Sequence, residues 1–226
     1  SVKSDGSFVT EADKAVEQFL IRYLSSLVFG ASFYAEESGG TTESEYCWVI
    51  DPIDGTTNFI QGIPYFCISV ALTRRNEPIL GFIYHPVSGD FFHAVKGGGA
   101  FCNGNRLEIL DKAHETHMVL AVSPYSSLFP ILNALEQSQC FTSSVRVFGA
   151  DALDLAHCAA GKIDVCLFQD LFWWDIAAGM LLVTEARGVV TEFSGVPITL
   201  SFSTVVAGNK SFCEIIKDCL ASYKLI

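Results

Sequence analysis

The chain has 226 residues, half of them hydrophobic, and a formal net charge of −11 at pH 7. This length and apolar content suffice for a globular unit with a large core, and the absence of an uninterrupted apolar run of about 18 residues disfavours a membrane span. The acidic balance also disfavours nucleic acid as a partner, because a phosphate backbone is bound by a basic surface.

Eight cysteines are scattered along the chain, mostly inside apolar runs, and no two of them form a Cys-x-x-Cys pair. This pattern is typical of reduced thiols in a core rather than of a disulfide framework or a zinc site. The first seven residues contain none of the apolar stretch that a secretory signal requires. The sequence therefore predicts a cytoplasmic protein.

The first predicted element is a helix that begins at Thr10-Glu11-Ala12-Asp13. These residues have the spacing of a capping box, and apolar residues follow at helical intervals as far as Leu27. Asp13 is therefore equally consistent with a capping role and with a role in a site. A short apolar strand is predicted next, over 31–35.

Two acidic residues, Glu36 and Glu37, follow that strand and precede a polar loop over 39–45 with the composition of a mobile flap. Acidic pairs on surface loops are usually solvated charge. Because the pair stands just upstream of a strand that ends in carboxylates, we interpret Glu36 as a candidate metal ligand and Glu37 as solvated charge.

The central segment is an apolar run over 47–50 that ends in Asp51-Pro-Ile-Asp54-Gly55-Thr56-Thr57. The proline biases Asp51 away from helical geometry, and Gly55 allows the backbone to approach a ligand closely. The threonine hydroxyls and the N–H groups of a helical turn that starts here could hold an anion. Carboxylates for a cation beside amides for a phosphate favour metal-assisted phosphate chemistry.

The remaining pattern predicts two lobes, an α+β lobe over 1–112 and an α/β lobe over 113–226. Strands in the first lobe are expected at 65–74, 78–85 and 89–95. In the second lobe, strands are expected at 119–122, 145–148, 163–168, 188–192 and 204–207, and helices at 130–137, 151–161 and 209–223. Another helix begins near Asp175, where a plain N-cap is the structural alternative to a ligand.

Four segments in order resemble the inositol monophosphatase family, which consists of magnesium-dependent, lithium-sensitive phosphatases. The segment 51–59 resembles the family's metal signature, 9–13 and 35–38 match upstream, and 174–179 matches downstream. The resemblance implies a layered αβαβα sandwich of the α+β and α/β type. It also implies a homodimer, inhibition by lithium and a small phosphorylated metabolite as the substrate.

The resemblance further implies a set of site residues. Two or three Mg²⁺ ions would be held by Glu36, Asp51, the Ile53 carbonyl, Asp54 and Asp175. Glu36 and Thr56, the latter held by Asp13, would orient a metal-activated water that attacks phosphorus directly, without a covalent intermediate. The substrate would contact Ile53, Asp54, Gly55, Thr56, Gly149, Ala150, Asp151, Phe168 and Asp175.

Phe168 marks a departure from the family pattern. A glutamate commonly stands seven residues before the helix-starting aspartate and contacts inositol hydroxyls, but here that position is Phe168. A ring removes a polyol acceptor, so specificity for myo-inositol phosphate is in question unless Gln169 or Asp170 takes the role. The aromatic run over 172–174 is most simply core, although tryptophans beside a carboxylate could form the wall of a substrate pocket.

The leading hypothesis is a Mg²⁺-dependent phosphomonoesterase for a small polyol or sugar phosphate resembling inositol 1-phosphate. Histidinol phosphate, fructose 1,6-bisphosphate and 3′-phosphoadenosine 5′-phosphate are alternative substrates from related branches. A calcium-binding or other non-catalytic metal-binding module is a different class, in which Thr56 and Asp13 would have no purpose. A third hypothesis is a catalytically impaired member that acts through protein contacts.

Overall fold

The computed structural model describes residues 9–111, 117–123, 125–138 and 142–222. Up to Arg106, its elements are α1 (Glu11–Leu24), β1 (Ser32–Ala35), β2 (Gly39–Gly40), β3 (Tyr46–Asp54), α2 (Thr56–Gln61), β4 (Cys67–Arg74), β5 (Glu77–His85), β6 (Asp90–Val95), β7 (Gly99–Cys102) and β8 (Asn105–Arg106). From His117 they are β9 (His117–Ser123), α3 (Tyr125–Ser138), β10 (Thr142–Arg146), α4 (Asp151–Ala159), β11 (Val165–Gln169), α5 (Trp173–Glu185), β12 (Val189–Thr191), β13 (Thr204–Gly208) and α6 (Lys210–Ser222).

The first sheet has eight strands in the order β2-β1-β3-β4-β5-β6-β7-β8. Its strands pair antiparallel except for β1 and β3, which run parallel with Ala35 opposite Ile50. The turn between β4 and β5 contains Arg75 and Asn76, both with positive φ, as a tight hairpin requires. The residues that follow Ala35 and Ile50 on these two strands therefore come together.

The second sheet has five strands in the order β10-β9-β11-β13-β12. Strands β10, β9 and β11 are parallel, and α3 and α4 connect them, as parallel neighbours require crossover connections. Strand β13 pairs antiparallel with β11, and β12 pairs antiparallel with β13. The α/β alternation expected for this part of the chain is therefore confirmed.

Three hydrophobic clusters show how the layers stack. Alternate residues of β3 face opposite sides, so Val49 packs in the main cluster and Ile50 in the cluster under α1. The main cluster joins both sheets to α4 and α5, and the third cluster joins the second sheet to α3 and α6. The order α1, sheet, α4 with α5, sheet, α3 with α6 is the expected αβαβα sandwich.

Several element predictions need correction. The helix expected from Pro130 starts at Tyr125 and contains Pro130, which lacks an N–H and so costs the helix one backbone hydrogen bond. Along α1, the aromatic residues Phe19 and Tyr23 are exposed, while the acidic Asp13 and Glu17 are buried. The buried face of this helix is therefore partly polar, which apolar spacing alone does not predict.

The predicted boundary between two lobes stays a prediction. Residues 112–116 lie outside the described residues, and the main cluster contains side chains from both sheets. None of the helices in the described part of the chain combines the length and the hydropathy that a membrane crossing requires.

Candidate active site

The segment from Asp51 to Thr56 forms one edge of the candidate site. The pairing of β3 with β4 shifts register between Asp51 and Asp54, and both aspartates are buried. Gly55 is left-handed at φ 85° and N-caps α2, which begins at Thr56. A Cβ on Gly55 would lie 3.0 Å from the Ala150 side chain, so glycine lets a distant loop pack against the motif.

Asp13 performs both of the roles that the sequence left open. Its Oδ2 accepts the backbone N–H of Thr10 at 2.8 Å and so completes a capping box. Its Oδ1 accepts the hydroxyl of Thr56 at 3.4 Å. The same hydroxyl also lies 3.0 Å from the carbonyl of Ile53. The start of α1 therefore places Asp13 within hydrogen-bond distance of Thr56, although the Ile53 carbonyl is the nearer acceptor.

Glu36 enters the site from the end of β1. Its N–H donates to the carbonyl of Ile50 at 3.1 Å, which extends the parallel ladder by one position and brings Glu36 next to Asp51. The adjoining N–H of Glu37 donates at 2.8 Å to Oε2 of Glu17, a carboxylate that is 3% exposed. Sequence reasoning missed Glu17, although an acid four residues after Asp13 on the same helix face could have indicated it.

Asp54 and Asp175 are each engaged at a helix N-terminus. Asp54 accepts the N–H of Asp151 at 3.1 Å and that of Leu153 at 3.2 Å, so it caps α4 from a distant strand. Asp175 is the third residue of α5 and accepts the N–H of Phe172, the N-cap residue, at 2.7 Å. Phe172, not Asp175, is therefore the N-cap residue, and Asp175 caps the helix from its third position. Helix N-termini attract negative charge, which favours both arrangements.

The carboxylates lie close enough to affect one another's ionisation. Burial raises the pKa of Asp51 well above its usual range, and the neighbouring Asp54 and Glu36 raise it further. Burial also raises the pKa of Asp54 to about 6, although backbone N–H donors oppose the shift. The pKa of Asp175 is raised mainly by burial and additionally by nearby acidic side chains. Without a cation, the site disfavours its fully ionised state.

The donor set fits a hard divalent cation. Carboxylate and carbonyl oxygens are the ligands that Mg²⁺ prefers. Oδ1 of Asp51 is buried and has no hydrogen-bond partner within the described ranges, which is compatible with a ligand atom. As the side chains stand, no three His, Cys, Asp or Glu residues of those ranges are arranged to hold a metal ion. Asp54 and Asp175 already accept helix N–H groups, and their remaining lone pairs could face a cation.

A loop from the second half of the chain packs against the segment that contains Asp54 and Gly55. The Asn58 amide donates to the carbonyl of Phe148 at 2.7 Å and to that of Tyr65 at 2.8 Å. This clamp positions Gly149 and Ala150 against Gly55. Asn58 was not predicted as a site residue, and its position inside the motif was the only available signal.

Asp151 follows that loop as the first residue of α4. Burial raises its pKa to about 7, and the charge of Asp54 contributes to the shift. Its Oδ1 is buried and has no hydrogen-bond partner among the residues that the structure describes. Asp151 is thus brought to the site as predicted, with an ionisation state that can change near neutral pH.

Phe168 is not brought to the site. It lies on β11 between Ser123 of β9 and Val205 of β13, and its side chain is fully buried in the main cluster. A ring in this position cannot contact a substrate unless the core rearranges, so we remove it from the candidate site. The sequence position of the family's glutamate therefore does not correspond to a pocket-facing side chain here.

A second polar network joins Tyr65 to two side chains of α4. The Tyr65 hydroxyl donates to the buried Asp154 and lies 3.2 Å from Nδ1 of His157. The ring of Tyr65 also stacks on Phe148 at 4.8 Å. Burial lowers the pKa of His157 to about 4, so the imidazole is neutral at physiological pH. The network holds the loop before α4 without entering the carboxylate cluster.

Comparisons with known proteins agree on one family. The family model described as "Inositol monophosphatase family" matches residues 1–223. An inositol-1-monophosphatase from Mesorhizobium japonicum is 37% identical over 93% of this chain and 81% of its own length. A Nus factor SuhB from Pasteurella multocida is 35% identical over 98% of this chain and 86% of its own length. The crystal structure of the extragenic suppressor protein suhB from Bartonella henselae has a TM-score of 0.88 at 34% sequence identity. The match covers 97% of this chain and 87% of that one.

Proposed function

Since the chain belongs to the inositol monophosphatase family of phosphoric monoester hydrolases, we propose that it hydrolyses the phosphate ester of a small polyol or sugar. An ester resembling inositol 1-phosphate is the default substrate. The observation that carries the proposal is the cluster of buried carboxylates at the end of β3, directly beside the start of α2. This arrangement offers ligands for a cation and amides for a phosphate at adjoining positions.

The family is a metal-dependent one, and we assign the metal here as Mg²⁺, with two or three ions in the site. Its ligands would be Glu36, Asp51, the Ile53 carbonyl, Asp54 and Asp175. When bound, the ions would neutralise the phosphoryl and leaving oxygens and lower the pKa of water. The unpartnered oxygen of Asp51 and the raised pKa values of Asp51, Asp54 and Asp175 support this assignment, because a cation would stabilise the ionised forms.

Thr56 would orient the attacking water. Because its hydroxyl proton is directed to Asp13 or to the Ile53 carbonyl, a lone pair of Oγ1 is left to accept a hydrogen bond from the water. Glu36 would accept a second proton of the same water. The water oxygen would form the new bond to phosphorus while the bond to the alcohol oxygen breaks. The proton that the water loses to Glu36 would pass to solvent, and the leaving alkoxide would take a proton from solvent to become the alcohol.

No covalent intermediate is included in the proposal. The thiol nearest the carboxylates, Cys67, lies 3.4 Å from Oδ2 of Asp54, but burial and that charge raise its pKa well above the usual range. A protonated thiol is a poor nucleophile. The phosphate would rest on the N–H groups of Gly55 and Thr56, where backbone dipoles favour negative charge.

The alcohol would be placed by the loop that Asn58 holds. Gly149 and Ala150 approach the motif closely, and Asp151 can accept or donate a hydrogen bond to a hydroxyl, since its pKa is about 7. Histidinol phosphate, fructose 1,6-bisphosphate and 3′-phosphoadenosine 5′-phosphate are alternatives that the same chemistry would accommodate. We also propose a homodimer, inhibition by lithium and a reducing, cytoplasmic setting, the last supported by seven free thiols in the described ranges.

The relatives named Nus factor SuhB favour a second candidate, in which the chain acts through protein contacts. One experiment separates the two. Phosphate release is measured from a panel of small phosphomonoesters with Mg²⁺ titrated and lithium then added. Turnover that requires Mg²⁺ and falls with lithium supports the phosphatase. A folded protein without turnover on any ester would overturn it and favour the second candidate.

A further inference from the structure

Tyr65 connects the segment around Gly55 with the loop that precedes α4. Its backbone carbonyl accepts the Asn58 amide at 2.8 Å and stands 3.2 Å from the position that a Cβ on Gly55 would occupy. Its side chain packs against the main hydrophobic cluster, which contains residues of the second sheet and of α4. The candidate active site described above assigns Tyr65 no role in the reaction.

The side chain of Tyr65 contacts the chain on both sides of that loop. At its start, the ring stacks on Phe148 with centroids 4.8 Å apart and an angle of 22°. Past its end, the hydroxyl donates to Oδ1 of Asp154 at 2.5 Å, one helical turn beyond Asp151. A single side chain therefore holds the segment 148–154 at both of its ends.

The hydroxyl satisfies a buried carboxyl group. Among the described residues, Tyr65 is the one hydrogen-bond donor to the side chain of Asp154, which is fully buried and whose Oδ2 has no partner. In the tautomer with a proton on Nδ1, His157 donates to the same hydroxyl and so directs its O–H toward Asp154. An unsatisfied buried carboxyl is costly, so without the hydroxyl Asp154 would turn to another donor and move the first turn of α4.

That first turn carries the alcohol side of the candidate site. Asp151 begins α4, and its N–H donates to Asp54 at 3.1 Å. Movement of the loop 148–151 would change the distance from Asp151 to a bound alcohol. Glu36 and Asp51, by contrast, are placed by the parallel ladder of β1 and β3. Loss of the Tyr65 hydroxyl would therefore affect the alcohol more than the attacking water.

We propose that Tyr65 is a positioning residue, whose hydroxyl holds Asp154 and thereby sets the distance between the loop 148–151 and the alcohol of the bound ester. This rests on the proposed function, because the loop places an alcohol only if the carboxylate site accepts an ester. Tyr65 acts through Asp154, so its contribution falls on substrate affinity rather than on bond cleavage. An ester whose leaving group offers no hydroxyl to Asp151 is insensitive to it.

The experiment compares two esters in the presence of Mg²⁺. One is the best polyol or sugar ester of the panel, and the other is phenyl phosphate, used as a substrate or as a competitive inhibitor. Tyr65→Phe should raise KM for the polyol ester about tenfold, with kcat changed less than about threefold and the affinity for phenyl phosphate less than about twofold. An unchanged KM for the polyol ester, or equal losses of affinity for both esters, would overturn the proposal.

Variants of Asp154 test whether the hydroxyl acts through this residue. Asp154→Ala removes the acceptor and should raise KM as Tyr65→Phe does. The double variant should be no worse than either single variant, because both substitutions remove the same contact. Asp154→Asn keeps an acceptor oxygen for the hydroxyl and should retain most of the affinity. Independent, multiplying effects of the two substitutions would contradict the proposed path.

Tyr84→Phe is the matched control, because Tyr84 is an exposed tyrosine on β5 whose hydroxyl has no hydrogen bond in the described part of the chain. It should leave both esters unchanged. Amide hydrogen exchange needs no turnover, and in Tyr65→Phe the residues 148–154 should exchange about tenfold faster while β11 is unaffected. If no ester is hydrolysed but exchange rises in this way, the proposed function fails while the hold of Tyr65 on the loop stands. Turnover with unchanged exchange and unchanged KM refutes the positioning role alone.

Discussion

The two halves of the candidate site are built in different ways. The metal-ligand half, from Asp51 to Thr56, is one continuous segment whose shape depends on a register shift and a left-handed glycine. The substrate half is the loop before α4, which Asn58 holds from 90 residues away in the chain. The first half follows from local rules, whereas the second depends on how distant elements pack.

The largest effect is expected from a substitution that tests this distinction at Phe168. If the position faced a pocket, Phe168→Glu would restore the family's polyol contact and leave the fold intact. Because the ring is fully buried, we expect instead a loss of at least about 4 kcal/mol of unfolding free energy from an unpaired buried charge.

Phe168→Leu is the control, with an expected cost of about 1 kcal/mol, because it keeps an apolar side chain. Chemical denaturation measures both variants. A Phe168→Glu protein as stable as the wild type would show that the substrate half had been placed wrongly.

The next effect concerns the metal-ligand half. Asp51→Asn should lower kcat/KM at least about a hundredfold, because it removes a ligand charge. It should not lower the melting temperature of the metal-free protein, since burial and neighbouring carboxylates already disfavour the ionised Asp51. Kinetics with Mg²⁺ and a thermal melt in chelator test the two parts separately. Activity near that of the wild type would exclude Asp51 as a ligand.

Thr56 tests a smaller contribution within the same half. Thr56→Ala should lower kcat roughly 10- to 100-fold through loss of water orientation, with little change in the Mg²⁺ concentration for half-maximal activity. Thr57→Ala, at the exposed neighbouring position, is the matched control and should be neutral. An unchanged kcat in Thr56→Ala would remove this hydroxyl from the mechanism.

A pH dependence of metal-free stability is also expected, and both halves participate in it. The folded pKa values of Asp54, about 6, and Asp151, about 7, lie above the ordinary value of 3.8. The folded state therefore binds more protons than the unfolded state between these limits, and stability is lost as the pH rises through about 6 to 7. Denaturation in chelator should show a more stable protein at about pH 5 than at about pH 8. Asp151→Asn should flatten the profile, and an opposite slope would contradict the assignment.

The sequence was sufficient where a residue's surroundings are set by its neighbours in the chain. The strand ending at Asp54, the turn at Gly55 and the capping box of Asp13 are of this kind. Glu17 and Asn58 could not be assigned in the same way, because the partner of Asn58 is 90 residues away and that of Glu17 lies on a different element.

Phe168 was predicted to contact the substrate, but it lies in the core. Its position was assigned by counting back from Asp175, but a one-residue change of register on a strand moves a side chain to the opposite face. Here that face is the core between the sheet and the central helices. The number of residues between Phe168 and Asp175 therefore cannot decide which face of β11 the side chain occupies. The pairing of β11 with its neighbouring strands decides it.

The parallel pairing of β1 and β3 has a consequence for protein engineering. Glu36 and Asp51 lie side by side because they follow Ala35 and Ile50, which are paired in the parallel ladder. The length of the loop between the two strands therefore does not set the distance between the two carboxylates. A peptide tag or a small domain inserted between Thr42 and Glu45 would lengthen the tether without separating the two carboxylates. Deleting one residue from β1, by contrast, would offset the rungs and turn the glutamate away from its partner.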